Sequence, residues 1–338
     1  MIAAISRPAG TEWRDRPLNS IANRGQLCDS SIFPGMTVSS SMRPNLFIVG
    51  AMKAATTSIA QFLASVDGVQ MCRQKEPHHF CTDLYLHPEF SSLPQIRGFM
   101  GQEWIRNRDD YLALFPAAGH SRYLAEASTT YLYSQDAAKE IAAFSPDARI
   151  VILLRQPVRR AFSEYQMNRK IGLAKGSFSE EMAADLERYR RGEFKLFERY
   201  VYAGMYAAQV ERFLRAFPRE RIFIAAIDRP GRDINGVARE LCTFLGLAAQ
   251  AEVPRLNEAG LAAFPALNRL LFESGIKGWI SRSLPAGMKA GFKKLYYSDA
   301  APPKLGQDEI ERWTGTFADD IAALSRLVDE DLAHWTRS

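Results

Sequence analysis

The chain is poor in cysteine and histidine, with four of the first and five of the second in 338 residues. Cys28, Cys72, Cys81 and Cys242 show no CxxC spacing and no dense framework. A disulfide-stapled scaffold is thereby excluded, and reduced thiols in a cytoplasmic protein are expected. No apolar run approaches the roughly 18 residues that span a bilayer. No basic stretch followed by an apolar core opens the chain, so no secretion signal is expected either. The excess of basic over acidic charge is also modest. A net charge of +5 favours anionic ligands but falls short of the concentrated basic face that nucleic acid requires. What remains is ordinary for a globular protein, 47% hydrophobic and 24% charged. The length allows one large α/β domain or two smaller ones.

Residues 1–43 mix Arg, Ser, Pro, Gly and Asn without periodicity, as a flexible extension does. A single domain is expected over 44–338. Its first unit, Asn45 to Val66, predicts a strand, a small-residue turn and a helix. Leu46 to Val49 are apolar and β-branched, as a buried strand requires. Gly50-Ala51-Met52-Lys53-Ala54-Ala55 form the turn, and Thr56, Thr57 and Ser58 supply cap-type residues. Ile59, Phe62, Leu63 and Val66 then fall at i, i+3, i+4 and i+7 and mark one buried helical face. A strand–turn–helix of this kind aims backbone N–H groups and a positive dipole end at one point, which suits phosphate or sulfate. It is not a Walker A loop. No second glycine precedes Lys53 and alanine follows it, so an ordinary turn with a solvated lysine is the plain alternative.

Val69 to Cys72 read as a second strand, and Pro77 forces an extended loop carrying Glu76, His78 and His79. Three readings of that loop compete. A metal site has too few ligands and no regular spacing. Polar capping of the strand is the plain one, and a general base, carboxylate or imidazole, is the functional one. Residues 88–122 read as irregular, with Trp104, Tyr111, Leu112, Leu114 and Phe115 as packing points beside a cleft. Small hydroxylated residues close to two tyrosines fill Tyr123 to Ser134, and a helix ends at Ser145-Pro146.

Ile150 to Leu154 form an uninterrupted apolar strand with Arg155 at its carboxyl end and Pro157 opening a helix. Val158, Ala161, Phe162 and Tyr165 give that helix its core face, while Arg159, Ser163, Gln166 and Lys170 share another. A guanidinium at a strand end with a helix hydroxyl nearby makes a two-point phosphate clamp; a solvated basic face is the alternative. Residues 176–202 read as a charged helix, either a flap or a substrate-facing surface. Strand RIFIAAID ends in Asp228, a weak Walker B signature for magnesium. Lys289, Lys293 and Lys294 form a solvated surface or a cationic loop over a nucleotide. One helix is expected from about Gln307 to Trp335. Together the elements predict an α/β fold, a central parallel sheet flanked by helices in a three-layer architecture like that of P-loop NTPases.

FIVGAMKAATTS, KEPHHF and LLRQPVRRAFSEY, in this order, resemble the sulfotransferases that use 3′-phosphoadenosine 5′-phosphosulfate (PAPS), especially the heparan-sulfate type and its bacterial relatives. The resemblance implies that Lys53 with Ala54, Ala55, Thr56, Thr57 and Ser58 holds the 5′-phosphosulfate. It implies that Arg155 and Ser163 bind the 3′-phosphate, that Glu76 is the general base and that His78 supports it. Tyr206 and Gln209 look like part of a packing helix. PAPS is then the co-substrate and adenosine 3′,5′-bisphosphate the product, with no metal expected. The acceptor is a hydroxyl on a sugar, a glycolipid or a small metabolite; a lipid acceptor implies transient contact with a membrane surface. Two departures stand out. Ala127 replaces the lysine that follows the matching glutamate in some relatives, and no glycine-and-lysine loop is evident near Ala300 to Gly306. Two other functions remain open: a nucleotide-dependent phosphotransferase on a related fold, and a non-enzymatic module binding anionic glycans.

Overall fold

The structure is a computed structural model that describes residues 43–92, 104–115, 121–248, 252–254 and 304–336. The expectations for residues 1–42, for the lysines at 289–294 and for the stretch 300–303 lie outside the described residues. The core is one five-stranded parallel sheet in the order β2-β3-β1-β4-β5. Its strands are β1 (Leu46–Gly50), β2 (Val69–Met71), β3 (Tyr123–Ala127), β4 (Arg149–Leu154) and β5 (Ile222–Ala226). Every residue of β1 and β3 is buried, as are all of β4 except Arg149. Continuous apolar runs are what parallel strands covered on both faces require.

Helix α1 (Thr56–Ala64) follows β1, and Ile59, Phe62, Leu63 and Val66 are all buried, as their spacing predicts. Residues 88–122 are more regular than the sequence suggests. Short helix α2 (Thr82–Tyr85) precedes this stretch, and α3 (Pro88–Ser92) and α4 (Arg108–Ala113) lie within it, the last capped by Asn107. They are too short to show a helical period, and Tyr111 and Phe115 anchor the last one in the core. Helix α5 (Ala137–Phe144) leads to β4, and α6 (Pro157–Ile171) leaves it behind a Gln156 cap. Helix α6 is more buried than its charge suggests. Arg160 and Glu164 form a fully buried pair at 2.7 Å, and Arg160 also donates to the Tyr200 carbonyl at 2.6 Å.

The charged stretch 176–202 is helical only as far as Arg190, in α7 (Phe178–Arg190), which opens on a capping box built by Ser177 and Glu180. Helices α8 (Tyr206–Ala216), α9 (Ile234–Leu245) and α10 (Gln307–Val328) complete the α-helices among the described residues. The C-terminal helix is shorter than expected. Asp329 takes a left-handed backbone (φ 53°) and ends it, and Trp335 falls in a separate 3-10 turn. Helix α10 packs on α8 and α6.

β1 connects towards β2 on one side, while β3 and β4 connect the other way. With right-handed crossovers the intervening helices leave on opposite faces, so a crevice opens at the carboxyl ends of β1 and β4. Ligands bind at this switch point in open α/β sheets.

Candidate functional site at the carboxyl edge of the sheet

The loop after β1 makes its turn without glycines. Lys53 (φ 68°) and Ala55 (φ 58°) both take left-handed backbone, which ordinarily favours glycine. Ala54 is fully buried, Thr56 nearly so, and Thr57, Ser58 and Lys53 are half-buried. The N-cap residue of α1 is Ala55, and no side chain caps the helix. The first N–H groups of a helix lack intrahelical acceptors. Those of α1 are therefore left to an outside acceptor, at the positive end of the helix dipole. Gly50 is needed for a different reason. A Cβ there would lie 2.6 Å from the Leu132 Cβ, where the segment after β3 crosses β1 and the Leu132 N–H donates to the Val49 carbonyl at 2.9 Å.

Arg155, at the end of β4, reaches across the crevice. Its Nη1 donates to the Lys53 carbonyl at 3.3 Å, tying the two loops together. Its own carbonyl accepts from the Tyr206 hydroxyl at 3.0 Å, at the start of α8. That start is held in turn by Asp320 of α10, whose Oδ2 accepts from the Tyr206 N–H at 2.6 Å and the Ala207 N–H at 3.1 Å. Asp228 holds the turn after β4 from below: Oδ2 accepts from the Gln156 N–H at 2.9 Å and Oδ1 from the Trp335 indole at 3.0 Å. Both of its oxygens thus do structural work rather than face a nucleotide. Ser163 lies two turns into α6 and is 7% exposed. Among the described residues it makes no hydrogen bond to Arg155 or to the Lys53 loop.

The loop after β2 holds Glu76 and His78, both with left-handed backbone (φ 59° and 54°). The Glu76 N–H donates to the Ala127 carbonyl at 3.0 Å, which docks the loop on the end of β3. Lys75 Nζ donates to Oε1 at 2.8 Å, and Thr129 donates to Oε2 from its backbone at 3.2 Å and from its hydroxyl at 3.0 Å. Burial alone would push this carboxyl up. The Lys75 and His78 charges and the Lys75 and Thr129 hydrogen bonds outweigh it and hold Glu76 below its ordinary 4.5. His78 presents Nε2 to Glu76 Oε2 at 3.8 Å, while its Nδ1 meets the Thr130 hydroxyl at 2.9 Å and its ring lies against Trp104. His79 turns away: its ring stacks on Tyr111 at 4.2 Å and its Nδ1 meets the Ile105 carbonyl at 2.8 Å. No group of three or more His, Cys, Asp or Glu side chains suited to a metal occurs among the described residues.

The structure thus gathers Lys53, Glu76, His78 and Arg155 along one edge. Thr129 is a member that sequence reasoning missed, although its signal was the hydroxyl run after Glu126. Glu126 itself is buried in β3. Burial, with the Glu76 charge adding to it, pushes its carboxyl up to about 8, and the Ser128 hydroxyl donates to its Oε2 at 3.5 Å.

Comparison with known proteins gives this edge a family. The chain is 26% identical over 227 residues to the bifunctional heparan sulfate N-deacetylase/N-sulfotransferase 1 of Caenorhabditis briggsae, which covers 63% of this chain and 24% of that protein. It is 25% identical over 240 residues to heparan sulfate glucosamine 3-O-sulfotransferase 6 of Mus musculus, covering 70% of this chain and 63% of that one. The chain therefore spans about a quarter of the first relative's length and less than two thirds of the second's. Among solved structures, a sulfotransferase from Alicyclobacillus acidocaldarius superposes with a TM-score of 0.65 at 29% identity, over 87% of this chain and 99% of its own. The model of the Sulfotransferase family matches residues 44–251, which hold all five strands and every residue of the site described above except Asp320 and Trp335. By that match over more than half its length, the chain belongs to the sulfotransferase family.

Proposed function

We propose that the protein transfers a sulfuryl group from PAPS to an acceptor hydroxyl, with Glu76 as the base and Lys53 at the leaving oxygen. The observation that carries it is the Arg155–Lys53 hydrogen bond, which joins two cationic loops across the switch point beside an ionised glutamate. PAPS carries anionic groups at both ends of its ribose. The uncapped α1 N-terminus with Lys53 suits the 5′-phosphosulfate, and Arg155 with Ser163 suits the 3′-phosphate.

The acceptor oxygen attacks sulfur in line. As the new S–O bond forms, the bond from sulfur to the bridging oxygen breaks, and its electron pair stays on the 5′-phosphate of the nucleotide. Lys53 and the α1 N–H groups meet the charge that develops there. The acceptor proton passes to a Glu76 oxygen. A base held below 4.5 is weak in the free protein, but the negative charge of a bound donor disfavours the carboxylate and raises its proton affinity in the complex. His78 and Thr129 fix the carboxyl's position. The transferred group carries less charge than a phosphoryl group, so fixed cations serve where kinases use magnesium. The names of the heparan sulfate relatives favour a carbohydrate acceptor.

Labelled PAPS offered with a panel of sugar, glycolipid and small-metabolite hydroxyls tests this reading. Label should pass to at least one acceptor and not in Lys53→Ala or Glu76→Gln; label passing from ATP and none from PAPS would point to a phosphotransferase instead.

A further inference from the structure

Arg199 is only 5% exposed, yet its Nε and Nη1 have no hydrogen-bond partner among the described residues. Its remaining nitrogen, Nη2, reaches the Met52 sulfur at 3.6 Å, a weak acceptor. Its guanidinium lies 4.2 Å above the Tyr133 ring. The carboxylate that meets its backbone is otherwise engaged. Glu164 accepts from the Arg199 backbone N–H at 3.3 Å and pairs with the Arg160 side chain at 2.7 Å. A buried guanidinium with two vacant donors is costly unless an anion completes it.

Both of its contacts belong to the candidate site. Met52 immediately precedes Lys53, and Tyr133 sits in the segment after β3 that also carries Thr129. Burial pushes the Tyr133 hydroxyl up, and the Arg199 charge opposes that shift while the Glu76 charge adds to it. The backbone adds an independent sign. Among the described residues, six non-glycine positions have positive φ: Lys53, Ala55, Glu76, His78, Glu198 and Asp329. Four lie in the two loops of the site, and Glu198 directly precedes Arg199. Strain of this kind persists where surrounding structure imposes it, and it concentrates at ligand clamps.

We infer that Arg199 is a donor-binding residue: its vacant Nε and Nη1 receive the 5′ anionic group on the Lys53 loop, the phosphosulfate before transfer and the phosphate after it. This rests on the proposed donor. It supplies from the 191–201 segment the second cation that Ala127 does not provide.

The test compares adenosine 3′,5′-bisphosphate with adenosine 3′-monophosphate, which lacks the 5′ group, by calorimetric titration of the full chain. In the unaltered protein the bisphosphate should bind more tightly. In Arg199→Met that preference should shrink by about tenfold to a hundredfold while monophosphate affinity stays unchanged. An undiminished preference, or equal losses for both nucleotides, would show that Arg199 only supports the fold and would overturn the inference. If the unaltered protein shows no preference for the bisphosphate, the proposed donor itself is wrong. Should Arg199→Met not fold, nitrogen NMR of the unaltered chain decides. The Arg199 Nε signal should shift on adding the bisphosphate and stay in place with the monophosphate, and no shift with either nucleotide bound would overturn the inference.

Discussion

Arg155 donates a hydrogen bond from Nη1 to the main-chain carbonyl of Lys53 at 3.3 Å. The two residues are 102 positions apart, and their bond makes the loops after β1 and β4 a single unit. A guanidinium with five donors can hold a loop carbonyl and still present a fork to phosphate. Arg155→Ala should therefore weaken adenosine 3′,5′-bisphosphate by about tenfold to a hundredfold. Arg155→Lys should recover only part of this, since a point charge cannot serve both partners. Calorimetric titration of the two variants reads the difference.

Glu76 is held ionised by Lys75, His78 and Thr129. Glu76→Gln keeps the shape of the side chain and removes the base. Turnover should fall by about 10²–10⁴-fold, while nucleotide affinity should hold or rise, because the donor's charge no longer meets a carboxylate. The pH profile carries the sign. Because the free carboxyl lies below 4.5, kcat/KM should hold its value down to that pH and fall only below it. The acid limb of kcat should lie at higher pH, because bound donor charge raises the same group. Coincident limbs would argue against Glu76 as the base.

Glu126 makes the opposite prediction for stability. The folded chain keeps its proton to about pH 8, whereas the unfolded chain loses it near the ordinary 4.5. Across that window the unfolded state binds fewer protons, so the Glu126 contribution to stability falls as pH rises. Glu126→Gln should flatten this fall in urea midpoints measured between pH 5 and 8.5. A variant with the same slope as the parent would place the titration elsewhere.

Backbone constraints at the first loop separate two small residues. Gly50→Ala puts a Cβ 2.6 Å from the Leu132 Cβ and should cost about 1–3 kcal/mol, visible as a lower Tm. Ala55→Gly relieves a left-handed alanine (φ 58°). The folded state should gain part of the roughly 1–2 kcal/mol that such a backbone costs, partly offset by the looser unfolded chain. Its Tm should stay level or rise.

Much of the fold was legible because apolar runs and helical spacing act locally. LFIV and IVILL read as buried strands, and the faces of α1 and α10 follow the 3.6-residue period. The candidate site was legible where chemistry coincides with a strand end, as at Lys53, Glu76 and Arg155. The misses have physical causes. Arg160 and Glu164 stand at i, i+4 on a charged helix, where such pairs are ordinarily solvated, and here both are buried and bond to the backbone of Arg199 and Tyr200, distant in sequence. Arg199 lies beyond the end of α7 with no periodicity to betray its burial. The end of α10 depends on one left-handed residue, Asp329, that carries no glycine signal.

The 3′-phosphate separates PAPS from the nucleotides of kinases and ATPases, so the most direct measurement is calorimetric binding of adenosine 3′,5′-bisphosphate and of ADP to the full chain, each with and without magnesium. The bisphosphate should bind without magnesium and at least tenfold more tightly than ADP, and Arg155→Ala should abolish that preference. Magnesium-dependent binding of ADP, with no gain from the 3′-phosphate, would contradict a PAPS-dependent sulfotransferase.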